Sequence, residues 1–323
     1  MVAVHLNDPT AMSEARPMRP ASWFLPLLAL AGCGANALPD DTRPDLGSAP
    51  SSSPDLAVVA GVNDRVLDLP QFTLQPGEEK ILCAYVPPDG VERFVNRFVT
   101  DMAPGSHHLI VYRQTADGGP ARGPEPCSNG LPIGMLPGAQ EPHTELPLPP
   151  GIAYKVGAAD ALYFQMHYIN ATSSPITARV NYRMATIAKE AVTELAGELF
   201  YSMWNLKVPT GKSTQEQTCK APYDLNMMLA TGHMHKHALT FDASVAGKPV
   251  YHTNDWDSPK WAAFEHPGYQ VKQGDLIHWA CSYDNQTGNV LKFGDSADKN
   301  EMCIFVGLYW PAPNSETQFV CQK

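Results

Sequence analysis

The chain lacks several features that would have narrowed its class at once. It has no surplus of positive charge: 23 Lys and Arg stand against 33 Asp and Glu, for a net charge of −10. That balance argues against nucleic acid or a polybasic membrane surface as partner. Its apolar segment Trp23-Phe24-Leu25-Pro26-Leu27-Leu28-Ala29-Leu30 is too short to cross a bilayer as a stable helix. Helical periodicity is scarce. The best stretch, Ile187-Ala188-Lys189-Glu190-Ala191-Val192-Thr193-Glu194-Leu195, falls near the midpoint and is expected to be a helical connection between two domains. No internal repeat is evident. None of the seven cysteines sits in a Cys-x-x-Cys or zinc-knuckle spacing.

What is present is punctuation. Thirty prolines and 24 glycines break the chain into short apolar runs, such as Lys80–Val86 before Pro87-Pro88 and Arg93–Val99 before Pro104-Gly105. Many short strands at this spacing predict an all-β protein of sandwiches or barrels rather than βαβ units. An apolar content of 44% with 17% charge suits a folded protein, and 323 residues suffice for two domains.

The N-terminus reads as an export signal. Arg16 and Arg19 precede the apolar segment, which ends in Leu30-Ala31-Gly32-Cys33 and resembles a bacterial lipobox. Residues 1–33 are therefore expected to be a lipoprotein signal peptide, with Cys33 lipidated and the product anchored to the bacterial envelope. The alternative is an ordinary cleaved secretory signal, with Cys33 incidental. Residues 34–64, rich in Pro, Ser, Asp and Ala, read as a flexible tether. With Cys33 set aside, six cysteines remain to pair in an oxidising compartment, in any of fifteen connectivities.

Histidines mark the strands that matter. Thr231-Gly232-His233-Met234-His235 continues an apolar run, and in a strand residues two apart share a face, so His233 and His235 form a two-histidine metal clamp. His237 shares that face but lies about 13 Å along a strand from His233, too far for the same coordination shell unless the strand bends. His107 and His108 open a second apolar strand. Adjacent side chains on a regular strand point opposite ways, so both reach one metal only if the strand begins or bulges there, which Pro104-Gly105 favours. His167, with Gln165 on its face, lies in a third strand, Leu162–Ile169.

In their order, these motifs resemble the copper type II, ascorbate-dependent monooxygenases, which include peptidylglycine α-hydroxylating monooxygenase and dopamine β-monooxygenase. The resemblance covers residues 66–323. It rests on His107-His108 in an apolar strand, Gln165-Met166-His167-Tyr168, His233-Met234-His235, Glu265-His266-Pro267 followed by Gly274-Asp275, and Glu301-Met302-Cys303 before an apolar strand. It implies two antiparallel jelly-roll-type β-sandwich domains, at 65–188 and 189–323, facing each other across a wet cleft. It also implies two copper ions, an electron-storing one held by His107, His108 and His167, and a second, where O2 and substrate meet, held by His233, His235 and Met302. Disulfides Cys83–Cys127, Cys219–Cys321 and Cys281–Cys303 follow from the same resemblance.

The implied reaction puts one oxygen atom of O2 into a C–H bond and releases the other as water. It draws an electron from each copper, with ascorbate or a similar reductant recharging both. Imidazole suits copper in both oxidation states, and the soft thioether of Met302 favours Cu(I). Expected partners are a small molecule and O2, with the membrane reached only through the lipid anchor and the chain a monomer. A copper-sequestering surface lipoprotein is the competing reading. A single-metal zinc or iron hydrolase or oxygenase would need a carboxylate partner that the motifs do not supply. His143 and His237 are unassigned.

One departure from the family bears on substrate. The positions where peptide-hydroxylating members grip a terminal carboxylate with Arg, Asn and Tyr are Thr231, Ile304 and Val306 here. Thr231 falls on the face of His233, and Ile304 and Val306 on that of Met302. With Gln165 they define an expected substrate pocket that is apolar and without a cation.

Overall fold

Strands rich in Val, Ile, Tyr and Phe, each halted by Pro, Gly or Asx turns, build an all-β chain in the computed structural model, which describes residues 63–127, 134–319 and 321. The signal peptide at 1–33, its lipidation residue Cys33, and the linker at 34–64 up to residue 62 lie outside the described residues. The described residues make up one compact unit. No helix among the described residues is long and apolar enough to cross a membrane.

Four main sheets form, two from each half of the chain. In the first half, Arg93–Met102, Val180–Thr186 and Ile152–Val156 belong to a six-stranded sheet, while Glu79–Val86, Asp160–Ile169 and Ser106–Thr115 belong to a five-stranded one. Their inward faces share a core, where the ring of Phe164 from one sheet meets Tyr182 of the other at 5.4 Å. In the second half, Leu225–Met234, Cys303–Trp310 and Gly197–Ser202 lie in a six-stranded sheet over a four-stranded one built on Leu276–Asn285. Trp279 fills that core between Tyr201 and Phe305, at 6.1 and 6.4 Å. Packing apolar faces of paired sheets in this way supplies most of the folding free energy of such halves.

The expected helix at Ile187–Leu195 is not there. The segment holds a single 3-10 turn, Lys189–Ala191, and then Glu194–Leu195 pairs in parallel with Ile152–Ala153. Its apolar residues do not repeat at a helical period over enough turns to offset nucleation, and a free sheet edge captures it instead.

The two halves are in intimate contact. Met228, Leu308 and Trp310 extend the first core. Tyr154 Oη donates to the Gly197 carbonyl at 2.8 Å, and the Met135 amide donates to Thr317 Oγ1 at 2.7 Å. Three disulfides form, Cys83–Cys127, Cys219–Cys321 and Cys281–Cys303, with Cα separations of 5.0, 5.0 and 6.0 Å. A chain so cross-linked belongs in an oxidising, exported compartment.

Candidate metal centre

The first histidine pair is placed by a turn and a bulge. Gly105 adopts a left-handed φ of +91°, where a Cβ would come within 2.5 Å of Ile176 Cδ1, so only glycine makes this turn without strain. The strand starts at Ser106, and its register pairs His108 with His167 but Ser106 with Tyr168, leaving His107 as the extra residue. The bulge breaks the alternation that would send His107 and His108 to opposite faces. Their ring centroids lie 5.1 Å apart, and each lies about as far from His167, at 5.0 and 4.9 Å.

The second pair departs from the expected continuous strand. The strand ends at Met234, so His233 is on it while His235 lies in the turn that follows, before the chain resumes as a strand at Ala238. Glu301 holds that turn. Its buried carboxylate accepts the backbone N–H groups of His235 at 3.1 Å, His237 at 2.9 Å and Met302 at 3.3 Å. One side chain thereby ties the His-x-His turn to the start of the strand that carries Met302. Burial pushes the Glu301 carboxyl up to about 7 against those three bonds.

The two sets of histidines meet. His107 lies 5.2 Å from His233 and 5.6 Å from His235, and His108 lies 4.9 Å from His233, at most 0.5 Å beyond the longest spacing inside the first set. The expected wet cleft with one set on each wall is therefore closed here, ring against ring. Two side chains of the first half reach across. Gln140 Oε1 bonds His233 Nδ1 at 2.6 Å, and its amide nitrogen donates to the Gly232 carbonyl at 3.3 Å. Glu79 bonds His167 Nε2 at 2.8 Å and accepts from the Ala297 amide at 2.8 Å and the Ser296 hydroxyl at 3.1 Å. The His167 hydrogen bond leads the influences that hold the Glu79 carboxyl down to about 2.

In every ring of the cluster but His107, one nitrogen is hydrogen-bonded and the other is not. His108 Nε2 meets Gln165 Oε1 at 3.3 Å, and His235 Nδ1 meets the Asn300 carbonyl at 3.3 Å. Among the described residues, the buried histidine nitrogens without a hydrogen-bond partner are both of His107, Nδ1 of His108 and His167, and Nε2 of His233 and His235. Each such orphan costs about 1–3 kcal/mol unless something accepts its lone pair or proton. Burial drives the pKa of His107, His108 and His233 well below 6.5, and that of His235 down to about 4, so these four rings are neutral at pH 7 with lone pairs free. Neutral, buried, convergent imidazoles suit a metal ion, and in His108, His233 and His235 the second nitrogen is held in place as ligation requires. Ring nitrogens of His107, His108 and His233 all fall within 4.8 Å of one another, a three-nitrogen group drawn from both halves. The donor set fits copper: imidazole with one nearby thioether.

Beside the cluster is a cavity of about 280 Å³, into which His108, His233 and Met302 face. Gln165, Thr231, Ile304 and Val306 line it too. Register pairs Thr231 with Val306 and His233 with Ile304, which sets these side chains on neighbouring strands of one sheet. His237 and His143 stand outside the cluster. His237 Nε2 lies 3.1 Å from the Asp298 carbonyl, and His143 pairs with Asp101 at the surface.

Glu79, Gln140, Glu198 and Asn300 were not singled out from the sequence. Glu301 alone had a local signal, its place before Met302 in Glu-Met-Cys. The others act across sheets, where spacing along the chain carries no information.

Residues 233–323 match the family described as copper type II ascorbate-dependent monooxygenase, C-terminal domain. No curated protein matches. Among solved structures, the chain is similar to the major capsid protein P2 from Bacteriophage PM2, at 8% identity and a TM-score of 0.34, over 79% of this chain and 100% of that one. It is also similar to a cupin 2 conserved barrel domain protein from Leptotrichia buccalis, at 9% identity and a TM-score of 0.14, over 79% and 93%. Neither likeness is high enough to carry an argument. The family match begins at His233 and takes in His235, Glu301 and Met302, so residues 233–323 are similar to the C-terminal domain of the copper type II ascorbate-dependent monooxygenases.

Proposed function

We propose that the protein is an exported, lipid-anchored monooxygenase using two coppers, O2 and ascorbate or a similar reductant to hydroxylate a C–H bond of a small, neutral or aromatic molecule that is not a peptide. The observation that carries this reading is the convergence of unpartnered, buried imidazole nitrogens beside a mostly apolar cavity that also exposes Met302. His107, His108 and His167 would hold one ion, and His233, His235 and Met302 the other. Copper held there supplies one-electron redox chemistry and a site for O2.

The protein's own groups prepare that site. Glu79 keeps the proton of His167 on Nε2 and so leaves Nδ1 free to ligate, and Gln140 does the converse for His233, whose Nε2 is left open. Glu301 fixes the spacing between the His-x-His turn and Met302. Ile304, Val306, Phe200, Trp261 and Phe293 pack with Met302 and exclude water from the wall where a C–H bond would lie.

Anaerobic copper titration followed by ascorbate-driven O2 uptake tests the reading. Copper binding without any O2 uptake, across a broad panel of small molecules, would leave the sequestering alternative in its place. Met302→His is expected to keep copper but lose O2 chemistry, because an imidazole replaces the soft donor that favours Cu(I). Normal hydroxylation by Met302→Ala would reduce Met302 to a packing residue.

The pocket makes a second expectation. No lysine or arginine lines the cavity among the described residues, so a buried substrate carboxylate would go unpaired at a cost of several kcal/mol. A glycine-extended peptide should therefore be a poor substrate beside a panel of phenethyl-type amines and uncharged aromatics. Efficient turnover of the peptide with none of the panel would overturn this reading of Thr231, Ile304 and Val306.

A further inference from the structure

One buried acid in the cavity wall has no assigned role. Glu198, on the strand Gly197–Ser202, is 3% exposed and lines the cavity that His233 and Met302 face. Its Oε2 is buried and has no hydrogen-bond partner. Arg113 is the cation that acts on it; two of its nitrogens donate to the carbonyls of Lys155 and Ser315 and it pairs with Asp160 at 3.6 Å, while its buried Nε, like Glu198 Oε2, has no partner. Tyr112, also in the lining, feels both Glu198 and Asp295, which puts the cavity's acidic groups near one another. Besides His108, Gln140, Gln165, Thr231 and His233, the wall carries an aliphatic and aromatic cluster of Met302, Ile304, Val306, Phe200, Trp261 and Phe293.

A buried carboxyl left without a partner is a net cost to folding, and native proteins retain few of them. It becomes an asset when a ligand supplies the missing hydrogen. We propose that Glu198 determines substrate specificity by receiving the hydrogen-bond-donating head, an alcohol or amine, of a small molecule whose apolar body lies along the Ile304–Val306 wall toward His233 and Met302. This deepens the monooxygenase reading, on which it rests for the identity of the occupant as substrate. It also narrows it: an apolar body alone is insufficient, and an acceptor-only head such as an ether is refused.

The test measures binding, so that it stands or falls apart from turnover. Trp204 and Trp261 line the cavity, and their fluorescence reports occupancy by ligands that do not themselves absorb. The full chain, copper-loaded and without reductant, is titrated at pH 9, above the Glu198 value of about 8 so that its carboxyl is ionised, with cyclohexylmethanol, cyclohexylmethylamine, cyclohexylmethyl methyl ether and methylcyclohexane. The alcohol and amine should bind at least about tenfold more tightly than the ether and hydrocarbon, the discrimination one buried hydrogen bond supplies. In Glu198→Leu that gap should close. Glu198→Gln, which keeps the shape and an acceptor oxygen but loses the charge, should weaken the amine by about tenfold and the alcohol by less than about threefold. The proposal is overturned if the four ligands bind alike in the wild type, if the gap survives in Glu198→Leu, or if Glu198→Gln treats amine and alcohol equally. Ascorbate-driven O2 uptake is measured separately. Its absence with donor selectivity intact would sink the enzyme reading and leave Glu198 as a ligand-recognition residue.

Discussion

Replacing His107 and His108 together by alanine should leave about one copper per chain and reduce ascorbate-driven O2 uptake to background. The expectation rests on the donor count: two imidazoles are lost from one set, while His233, His235 and Met302 stay intact as a three-donor set of the kind copper accepts. The ring-to-ring arrangement makes the outcome more informative than a simple loss of function, since His107 lies 5.2 Å from His233 and 5.0 Å from His167. Metal analysis after dialysis, with circular dichroism to check folding, distinguishes the cases. One remaining copper supports two sites that bind independently. Complete loss would mean that His107, His108 and His233 act as a single shared centre, as their nitrogen spacing within 4.8 Å allows. Two retained coppers would remove the first set from the metal chemistry altogether.

Raising the pH from 6.5 to about 8.5 should destabilise the metal-free protein by about 2–3 kcal/mol, and Glu198→Gln should abolish most of that loss. Burial raises the Glu198 carboxyl to about 8 and Glu301 to about 7, so both bind a proton more tightly folded than unfolded. Their stabilising effect is complete below the unfolded carboxyl value and is lost as pH rises through the folded ones. The buried histidines have the opposite sign. His107, His108, His233 and His235 hold depressed values, so the unfolded chain takes up protons first and stability is lost as pH falls below 6.5. From the unfolded carboxyl range up to 6.5 the two effects offset, and above 6.5 the acids act alone. Urea denaturation at a series of pH values measures this. A flat profile above pH 6.5 in the wild type, or an equal slope in Glu198→Gln, would show that Glu198 is already ionised in the folded chain.

Much of the fold could be read directly. Proline and glycine punctuation between short apolar runs marks strands at 80–86, 93–99, 106–113 and 162–169, which the structure extends to 79–86, 93–102, 106–115 and 160–169, and the scarcity of a helical period argues against βαβ units. The segment Ile187–Leu195 misleads because a few alternating alanines and charges satisfy a helical pattern locally while the chain gains more by adding a strand to a sheet edge. His107 and His108 are half legible: the sequence shows that both point one way only if the strand is irregular, and the register shift against His167 and Tyr168 supplies that irregularity.

By itself, then, the sequence determined the strand class, the ligand types and the side of each strand on which His167, His233, Thr231 and Ile304 would lie, because side-chain alternation is a property of the local backbone. Tertiary structure alone decided that the two sets of histidines touch, that Glu79 and Gln140 of the first half orient His167 and His233, and that Glu198 faces the cavity without a partner. These are contacts between residues far apart in the chain, such as Glu79 with Ala297 across 218 positions, and they depend on how sheets stack. Alternation tells which face a side chain takes, but only the packing of the second sheet tells what that face meets.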